Sequence, residues 1–278
     1  MGGIPVEERK HALKEILRQL HEGVSPEEVK EKFRQIIEDV GPEEIARIEQ
    51  EIINEGVSRE EIQKLCEVHL AVFREQLQRQ KVEAKPENPV NILLEEHNAL
   101  QQRLEKLATL TEKIKQADDP EAVKEEIFQL KSLAAELLDA EKHYLREENV
   151  LFPALEKHGI TEPPAIMWME HDKLRESKKL LKNLLENHDK MDFQAFKNKL
   201  TEVANAIRNS LSSHLFKENN ILFPTALRVV TEQEWAEIRR EFDEIGYCSF
   251  TPEKAIKETA AVLEKIEAKK ASVPIEGT

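Results

Sequence analysis

A short sequence that contains histidine and glutamate occurs twice in the chain. His143 is followed four residues later by Glu147, and His214 is followed four residues later by Glu218. Each copy then runs into the same Leu-Phe-Pro sequence. An interval of four residues on an α-helix puts both side chains on one face, a turn apart. The repeat therefore predicts two imidazole and carboxylate pairs, a donor combination that suits transition-metal ions.

A second, shorter sequence is also duplicated and alternates with the first along the chain. It is a Glu-His pair at His97 and again at His171, each followed by a leucine three residues after the histidine. The four histidines therefore occur in the order His97, His143, His171 and His214. Two helix-turn-helix hairpins of this kind predict a four-helix bundle with one donor set on each helix.

Four imidazoles and two carboxylates on the inward faces of a bundle predict a site for two metal ions. As uncoordinated groups in a core they would be costly, since burial removes their hydration. Six protein donors exceed the four that one tetrahedral zinc accepts, but they suit two ions with two histidines each and both glutamates bridging. Such donors favour iron or manganese. Any single histidine could instead be a hydrogen-bonded core residue, but the shared register of the whole set argues against that interpretation.

The elements that must position these residues are predicted to be four long helices. Apolar residues spaced by three or four place His97 on the inward stripe of the first helix. The predicted helices are residues Val90–Gln116, Pro120–Glu156, Pro163–Asn187 and Asp192–Leu227. Pro153 and Pro224 each stand ten residues after a histidine of the repeat. A proline at that point is expected to kink or end the helix.

The chain is predicted to be all-α, with a small helical domain before the bundle and extra helices after it. The N-terminal domain spans residues 1–82, and capping sequences such as Ser25-Pro26-Glu27-Glu28 mark its helix starts. A linker with two prolines follows at residues 83–89. The bundle then covers residues 90–230, and further helices and a tail fill residues 231–278.

Composition and charge limit the partners that the chain is expected to bind. Asp and Glu outnumber Lys and Arg by 55 to 41, which gives a net charge of -14. An acidic surface argues against nucleic acid and anionic membranes as partners, because phosphate groups would repel it. No apolar run approaches the roughly 20 residues that span a bilayer, and no signal sequence opens the chain. We therefore expect a soluble, cytoplasmic protein.

The region from about Val90 to Leu227 resembles the haemerythrin-like (HHE cation-binding) family, whose members are up-down four-helix bundles with a non-haem di-iron centre. Its repair-of-iron-centres group, which uses four histidines and two bridging glutamates, is the most similar branch. Matching the motifs assigns the iron ligands as His97, His143, Glu147, His171, His214 and Glu218. The resemblance implies two iron ions joined by an oxo or hydroxo bridge, with manganese or zinc as substitutes.

One departure separates the chain from the oxygen-carrying branch of the family. Those carriers place a further histidine four residues after the ligand of the third helix, where this chain has Arg175. A five-histidine site that stores dioxygen is therefore not expected. The N-terminal segment resembles an uncharacterised helical domain that precedes such bundles in prokaryotic proteins, where a PAS-like sensor domain often follows. The chain stops at Thr278 without one, which is expected of a shorter relative or a truncated form.

Several other residues are candidates for supporting roles around the metal ions. Tyr144 follows a predicted ligand directly and could reach the site or pack in the core. Trp168 precedes His171 by about one turn and could line a ligand channel or belong to the core. Acidic neighbours could orient the imidazoles, although such residues are more often solvated. These neighbours are Glu96, Glu148, Glu170 and Asp172.

Cys66 and His69 lie three residues apart on a predicted helix, so they share a face. The pair could bind metal, or Cys66 could pair with Cys248. A small buried cysteine beside a partly exposed histidine is the plainer interpretation.

The residues alone predict a dinuclear metal centre that binds a small ligand. The resemblance adds a reaction with nitric oxide, dioxygen or peroxide during nitrosative or oxidative stress, as nitric oxide reduction or repair of damaged iron centres. A sensor that relays ligand binding through the N-terminal domain to a protein partner is an alternative. Iron handling without catalysis is another, and a homo-oligomer is compatible with each.

Overall fold

The computed structural model describes residues 6–25, 28, 29, 32, 33, 48, 50–58 and 84–271. The chain divides into two compact units, Met1–Val82 and Glu83–Thr278. The described part of the first unit contains helix α1, Val6–His21, which buries Leu13 and Ile16. The finer division predicted from the sequence, with a linker at residues 83–89 and a boundary at residue 230, stays a prediction.

The second unit is built around four helical arms, which confirms the predicted all-α four-helix bundle. The first arm is α2, Val90–Gln116. The second arm combines α3, Lys124–Asp139, α4, Glu141–Arg146, a π-helical turn, Glu147–Leu151, and α5, Phe152–Lys157. The third arm is α6, Glu162–Glu186. The fourth arm combines α7, Phe193–Lys217, a second π-helical turn, Glu218–Leu222, and α8, Phe223–Val229.

The up-and-down order of the arms explains why the four histidines meet. Short connections join consecutive arms, so the arms run antiparallel. His97 and His171 lie in the first halves of the first and third arms, whereas His143 and His214 lie in the second halves of the second and fourth. All four positions therefore fall at one end of the bundle. The other end is filled by buried apolar side chains, among them Ile114, Ile127, Leu184 and Phe196.

A π-helical turn begins at each glutamate of the duplicated sequence. In the second arm the N–H of Phe152 bonds to the carbonyl of Glu147, five residues earlier. In the fourth arm the N–H of Phe223 bonds in the same way to Glu218. Each turn thus holds one more residue than an α-helical turn, which shifts the register between the residues before it and those after it.

Of the two outcomes expected at Pro153 and Pro224, a kink or an end, the end is not observed, and the arms continue past both prolines to Lys157 and Val229, close to the predicted helix ends. Each proline lies in the first turn of the short helix after a π-helical turn, α5 or α8. A proline is tolerated at the start of a helix because its missing N–H would have no partner there. The π-helical turn creates such a start inside the arm, and the helix continues past it.

Two further helices follow the bundle and pack beside the end that holds the histidines. α9, Glu232–Ile245, starts at a capping box in which Thr231 and Glu234 exchange hydrogen bonds. It contacts α4 and the first π-helical turn, and α10, Glu253–Ala271, contacts α9 and α2. The connection between them opens at Gly246, whose φ of 85° suits glycine. Across the described residues, every helix is too short or too polar to cross a membrane.

Candidate metal centre

Six side chains predicted as metal ligands converge at one end of the bundle. They form two overlapping clusters that share both glutamates, and within each cluster the donor atoms lie within 4.8 Å of one another. The first cluster is His97, His143, Glu147 and Glu218, and the second is Glu147, His171, His214 and Glu218. All six residues are buried. The structure therefore brings the whole predicted set together.

The carboxylate of Glu218 lies between the two histidine pairs. Its Oε2 atom is 2.9 Å from Nε2 of His97 and 4.0 Å from Nε2 of His143. Its Oε1 atom is 2.7 Å from Nε2 of His214 and 3.7 Å from Nε2 of His171. Each oxygen thus faces a different pair of imidazoles, as a carboxylate that bridges two ions would.

Glu147 also lies within reach of both histidine pairs. Its Oε2 atom is 3.4 Å from Nε2 of His143 and 3.4 Å from Nε2 of His171. Glu147 and Glu218 each open a π-helical turn, so the two carboxylates occupy equivalent positions in the two copies of the repeat. Turns of this type are frequent at functional sites.

The imidazoles of His171 and His214 turn their Nε2 atoms toward each other. Their Nε2 atoms are 2.9 Å apart, and the Nδ1 atom of each ring faces a carboxylate. A proton on each Nδ1 makes both Nε2 atoms acceptors, which repel unless a cation lies against them. Two nitrogen ligands about 2.1 Å from one ion and at a right angle would be roughly 3 Å apart. The contact therefore fits two ligands of one metal ion.

Six buried polar atoms around the shared carboxylates have no hydrogen-bond partner within the described part of the chain. They are Nε2 of His97, Nε2 of His143 and both carboxylate oxygens of Glu147 and Glu218. A buried polar atom without a partner costs about 1–3 kcal/mol, and more if it is charged. Coordination to metal would satisfy all six atoms. The donor set, of imidazoles and carboxylates without thiolate, fits a pair of iron or manganese ions.

Each arm orients the histidine of the next arm, around a closed ring. The contacts to the Nδ1 atoms are Glu96 to His143 at 2.7 Å, Glu148 to His171 at 2.7 Å, Glu170 to His214 at 2.9 Å and Asn219 to His97 at 2.8 Å. Such a contact fixes the ring and leaves its Nε2 atom to face the metal. Three of the four acidic neighbours considered from the sequence therefore touch an imidazole. The fourth, Asp172, accepts a hydrogen bond from Arg175 at 3.0 Å instead.

Each of the three acidic partners is itself paired with a cation. Arg146 donates to Glu96 at 2.5 Å, Arg175 donates to Glu148 at 2.8 Å, and Lys217 donates to Glu170. Burial would raise the pKa of Glu96, but the charge of Arg146 and the hydrogen bond from His143 lower it to about 2. The three pairs balance their own charges. The remaining negative charge of the site comes from the two shared glutamates.

The two shared carboxylates have opposite pKa shifts. Burial and the negative charge of Glu218 raise the pKa of Glu147 well above its ordinary value. Burial also opposes ionisation of Glu218, but the surrounding imidazoles, that of His214 foremost, lower its pKa well below normal. Two carboxylates this close share one proton more readily than they carry two negative charges. A pair of metal cations would allow both to ionise.

Tyr144 packs against the site rather than in a distant part of the core. Its ring stacks on His171 with centroids 4.1 Å apart, and its hydroxyl accepts a hydrogen bond from Lys178 at 2.7 Å. Trp168 is 41% exposed and is therefore not a core residue. Its place in a ligand channel stays a prediction.

The cysteine and histidine pair of the N-terminal segment, Cys66 and His69, lies outside the described residues. Cys248 is a buried free cysteine, and its Sγ atom accepts a hydrogen bond from Arg146 at 3.7 Å. Burial raises the pKa of the Cys248 thiol to about 12.

Sequence reasoning missed Asn219, Arg146 and Thr251. Asn219 directly follows the glutamate in one copy of the repeat, as Glu148 does in the other, so superposing the two copies would have found it. Arg146 precedes the glutamate in the same way as Lys217. Thr251 donates a hydrogen bond to Glu96 from the connection between α9 and α10, and no local pattern predicts that contact.

Two parts of the chain match known protein families. Residues 13–79 match a family of unknown function, DUF438, and residues 88–226, half of the chain, match the Hemerythrin HHE cation binding domain. A probable iron-sulfur cluster repair protein of Haemophilus influenzae is 32% identical over 146 residues, which cover 49% of this chain and 63% of that protein. The iron-sulfur cluster repair protein YtfE of Salmonella schwarzengrund is 28% identical over 148 residues, which cover 49% of this chain and 64% of that protein. The chain thus spans less than two thirds of the length of these curated relatives.

Proposed function

Because the chain belongs to the haemerythrin HHE cation-binding family, we propose that its bundle holds two iron ions. One ion is bound by His97 and His143 and the other by His171 and His214, with both glutamates shared. The family match also confirms the resemblance read from the duplicated motifs. The match over residues 13–79 agrees with the resemblance of the N-terminal segment to an uncharacterised domain.

The observation that carries this proposal is the division of one carboxylate between two histidine pairs. One oxygen of Glu218 lies 2.9 Å from His97 and the other lies 2.7 Å from His214. A carboxylate on a single ion needs to direct only one or both oxygens at that ion, whereas here each oxygen is directed at a different histidine pair, as a carboxylate that bridges two ions requires. Imidazole and carboxylate donors also accept manganese and zinc, so these metals are substitutes to be compared with iron.

Residues around the site hold the donor side chains in the orientation that such ions need. Hydrogen bonds to the four Nδ1 atoms hold the imidazoles in place. In three of these contacts the acceptor is a carboxylate, and each of these carboxylates is held in turn by an arginine or a lysine. Burial of the donors excludes bulk water, which strengthens every electrostatic interaction inside the site. Two bound irons would supply one-electron redox changes at adjacent centres and open coordination positions for a small molecule.

We infer that this small molecule is nitric oxide, dioxygen or peroxide, met during nitrosative or oxidative stress. The burial of the site supports a ligand of this size, because His97 is 4% exposed and the other five donors are fully buried. The names of the relatives, which refer to repair of iron-sulfur clusters, support a role in the response to stress that damages such clusters.

Iron handling without turnover is the second candidate function. The same names favour it, because a protein that repairs an iron-sulfur cluster has to supply iron or act on the iron that is already there. In that case the buried site is a reservoir, and a partner that carries a damaged cluster receives the ion.

Anaerobic mixing of the ferrous-loaded protein with nitric oxide tests the proposal. We expect nitric oxide to be consumed well above the rate given by the same concentration of free ferrous ion, and we expect Glu218→Ala to abolish the increase. Asn149→Ala is a matched control, because Asn149 is exposed, lies beside the repeat and bonds to the carbonyl of Leu145. Two bound irons without consumption would favour iron handling. Failure to bind a second iron would overturn the proposal.

A further inference from the structure

The duplicated sequences give the two metal positions equivalent ligands but not equivalent surroundings. We propose that the position formed by His97 and His143 holds its ion less tightly than the position formed by His171 and His214, and releases it first. This inference rests on the proposed dinuclear iron site. It adds an order of release to that site, in which one ion leaves first and the other is retained.

The difference arises at one residue of the repeat. Glu148 and Asn219 each directly follow a shared glutamate, and each accepts a hydrogen bond from the Nδ1 atom of a histidine on the next arm. The Glu148 contact to His171 is 2.7 Å long, and the Asn219 contact to His97 is 2.8 Å long. The geometry is thus conserved between the two halves, while a carboxylate in one is replaced by a neutral amide in the other.

A carboxylate makes an imidazole a better metal ligand than an amide does. The charged acceptor draws the Nδ1 proton more strongly, which raises the electron density at Nε2. Both imidazoles of the second position have such a partner, in Glu148 and Glu170. At the first position His143 has one, in Glu96, but His97 does not. The first position therefore has the weaker set of nitrogen donors.

Exposure adds to this difference. His97 retains 4% of its surface exposed, whereas His171 and His214 are fully buried. Asn219 is partly exposed, and its counterpart Glu148 is buried and held by Arg175 at 2.8 Å. A movement of His97 away from the metal thus breaks a neutral hydrogen bond near solvent. The same movement of His171 breaks a charged one inside the core.

The test is the rate at which a chromogenic ferrous chelator removes iron from the anaerobic diferrous protein. We expect two phases of about one iron each in the natural protein. Asn219→Asp supplies the missing carboxylate without changing the size of the side chain, and it should slow the fast phase by about tenfold. Glu148→Gln makes the opposite exchange and should accelerate the slow phase. Arg175 keeps Glu141 and Asp172 as partners in that variant.

Asn220→Asp is the matched control for the added charge. Asn220 is the next residue, is also partly exposed, and donates its hydrogen bond to the carbonyl of Phe216. Its replacement should leave both phases unchanged, and an equal slowing in Asn219→Asp and Asn220→Asp would overturn the inference. Two irons that leave at one rate in every protein would overturn it as well, while the dinuclear site would stand. Fewer than two bound irons in the natural protein would overturn both proposals.

Discussion

The hydroxyl of Thr251 donates a hydrogen bond to the buried carboxylate of Glu96, which lies 155 residues earlier in the chain. Glu96 in turn accepts a hydrogen bond from Nδ1 of His143 at 2.7 Å. The connection between α9 and α10 therefore supports an imidazole of the candidate metal centre, although it lies beyond the residues that match the family. The C-terminal helices of this chain belong to the site's supporting structure.

Thr251→Val should weaken metal retention at the position that contains His143. The change removes one hydrogen-bond donor to Glu96 and keeps the size of the side chain at position 251. Arg146 then remains as the donor to Oε1 of Glu96. Loss of a direct partner of a metal ligand typically costs about 10- to 100-fold in affinity, and we expect no more than about tenfold because Thr251 acts through Glu96 and Arg146 remains. Equilibrium dialysis against chelator measures the change. Thr251→Ser, which keeps the hydroxyl, should behave as the natural protein, and an equal loss in both variants would contradict this role.

The two shared glutamates should differ from Glu148 in their effect on bound iron. Glu218→Ala removes both close carboxylate contacts of the site and should lower bound iron to one per chain or less. Glu147→Ala removes a second bridge and should also lower it towards one. Glu148→Ala removes an orienting contact to His171 and should retain two irons, bound more weakly. Iron analysis of the purified proteins measures this, and the same loss in all three variants would show that the ligands are misassigned.

Lys178 should make stability rise with pH above neutrality. Burial lowers the pKa of Lys178 from 10.5 to about 7, so between these values the unfolded chain binds more protons than the folded one. Stability therefore rises with pH in this range, by about 2 kcal/mol between pH 7 and pH 9 from this group alone. Denaturant unfolding of the natural protein and of Lys178→Met at both pH values isolates the contribution. Parallel pH profiles in the two proteins would contradict the lowered pKa of Lys178.

Cys248 should react very slowly with alkylating reagents while the protein is folded. Its pKa of about 12 leaves it almost entirely protonated at pH 8, and the thiolate is the reactive form. In a Cys66→Ser background, which leaves a single cysteine, we expect alkylation by iodoacetamide at least about 100-fold slower in the folded than in the denatured protein. Mass spectrometry follows the reaction. Similar rates in both states would show that the thiol is accessible and ionisable.

The bundle and the meeting of the six histidine and glutamate side chains could be predicted from the sequence because both depend on local spacing. Each histidine is repeated in register with its neighbours, and an interval of four residues fixes a shared helix face whatever the rest of the fold does. The predicted start and end of the first arm, Val90–Gln116, are those observed. In the fourth arm Asp192 caps the helix by accepting from the N–H of Ala195, one residue before the observed start.

The features that the sequence did not reveal depend on which arms become neighbours. The closed ring in which each arm orients the next histidine depends on the order in which the arms follow one another around the bundle axis. The spacing of residues along one helix does not determine that order. Thr251 reaches Glu96 only after α9 has packed beside the bundle. The π-helical turn immediately before Pro153 was not predicted, because a local rule for α-helices does not anticipate such a turn.

Iron content combined with Mössbauer spectroscopy of the oxidised protein tests the central claim most directly. Because Glu147 and Glu218 are both shared between the two clusters, two bound irons must lie close enough for their spins to couple. We predict two irons per chain in a single coupled diferric centre, and loss of that coupling in Glu218→Ala. One iron per chain, or two irons that behave as isolated high-spin ions, would contradict the account.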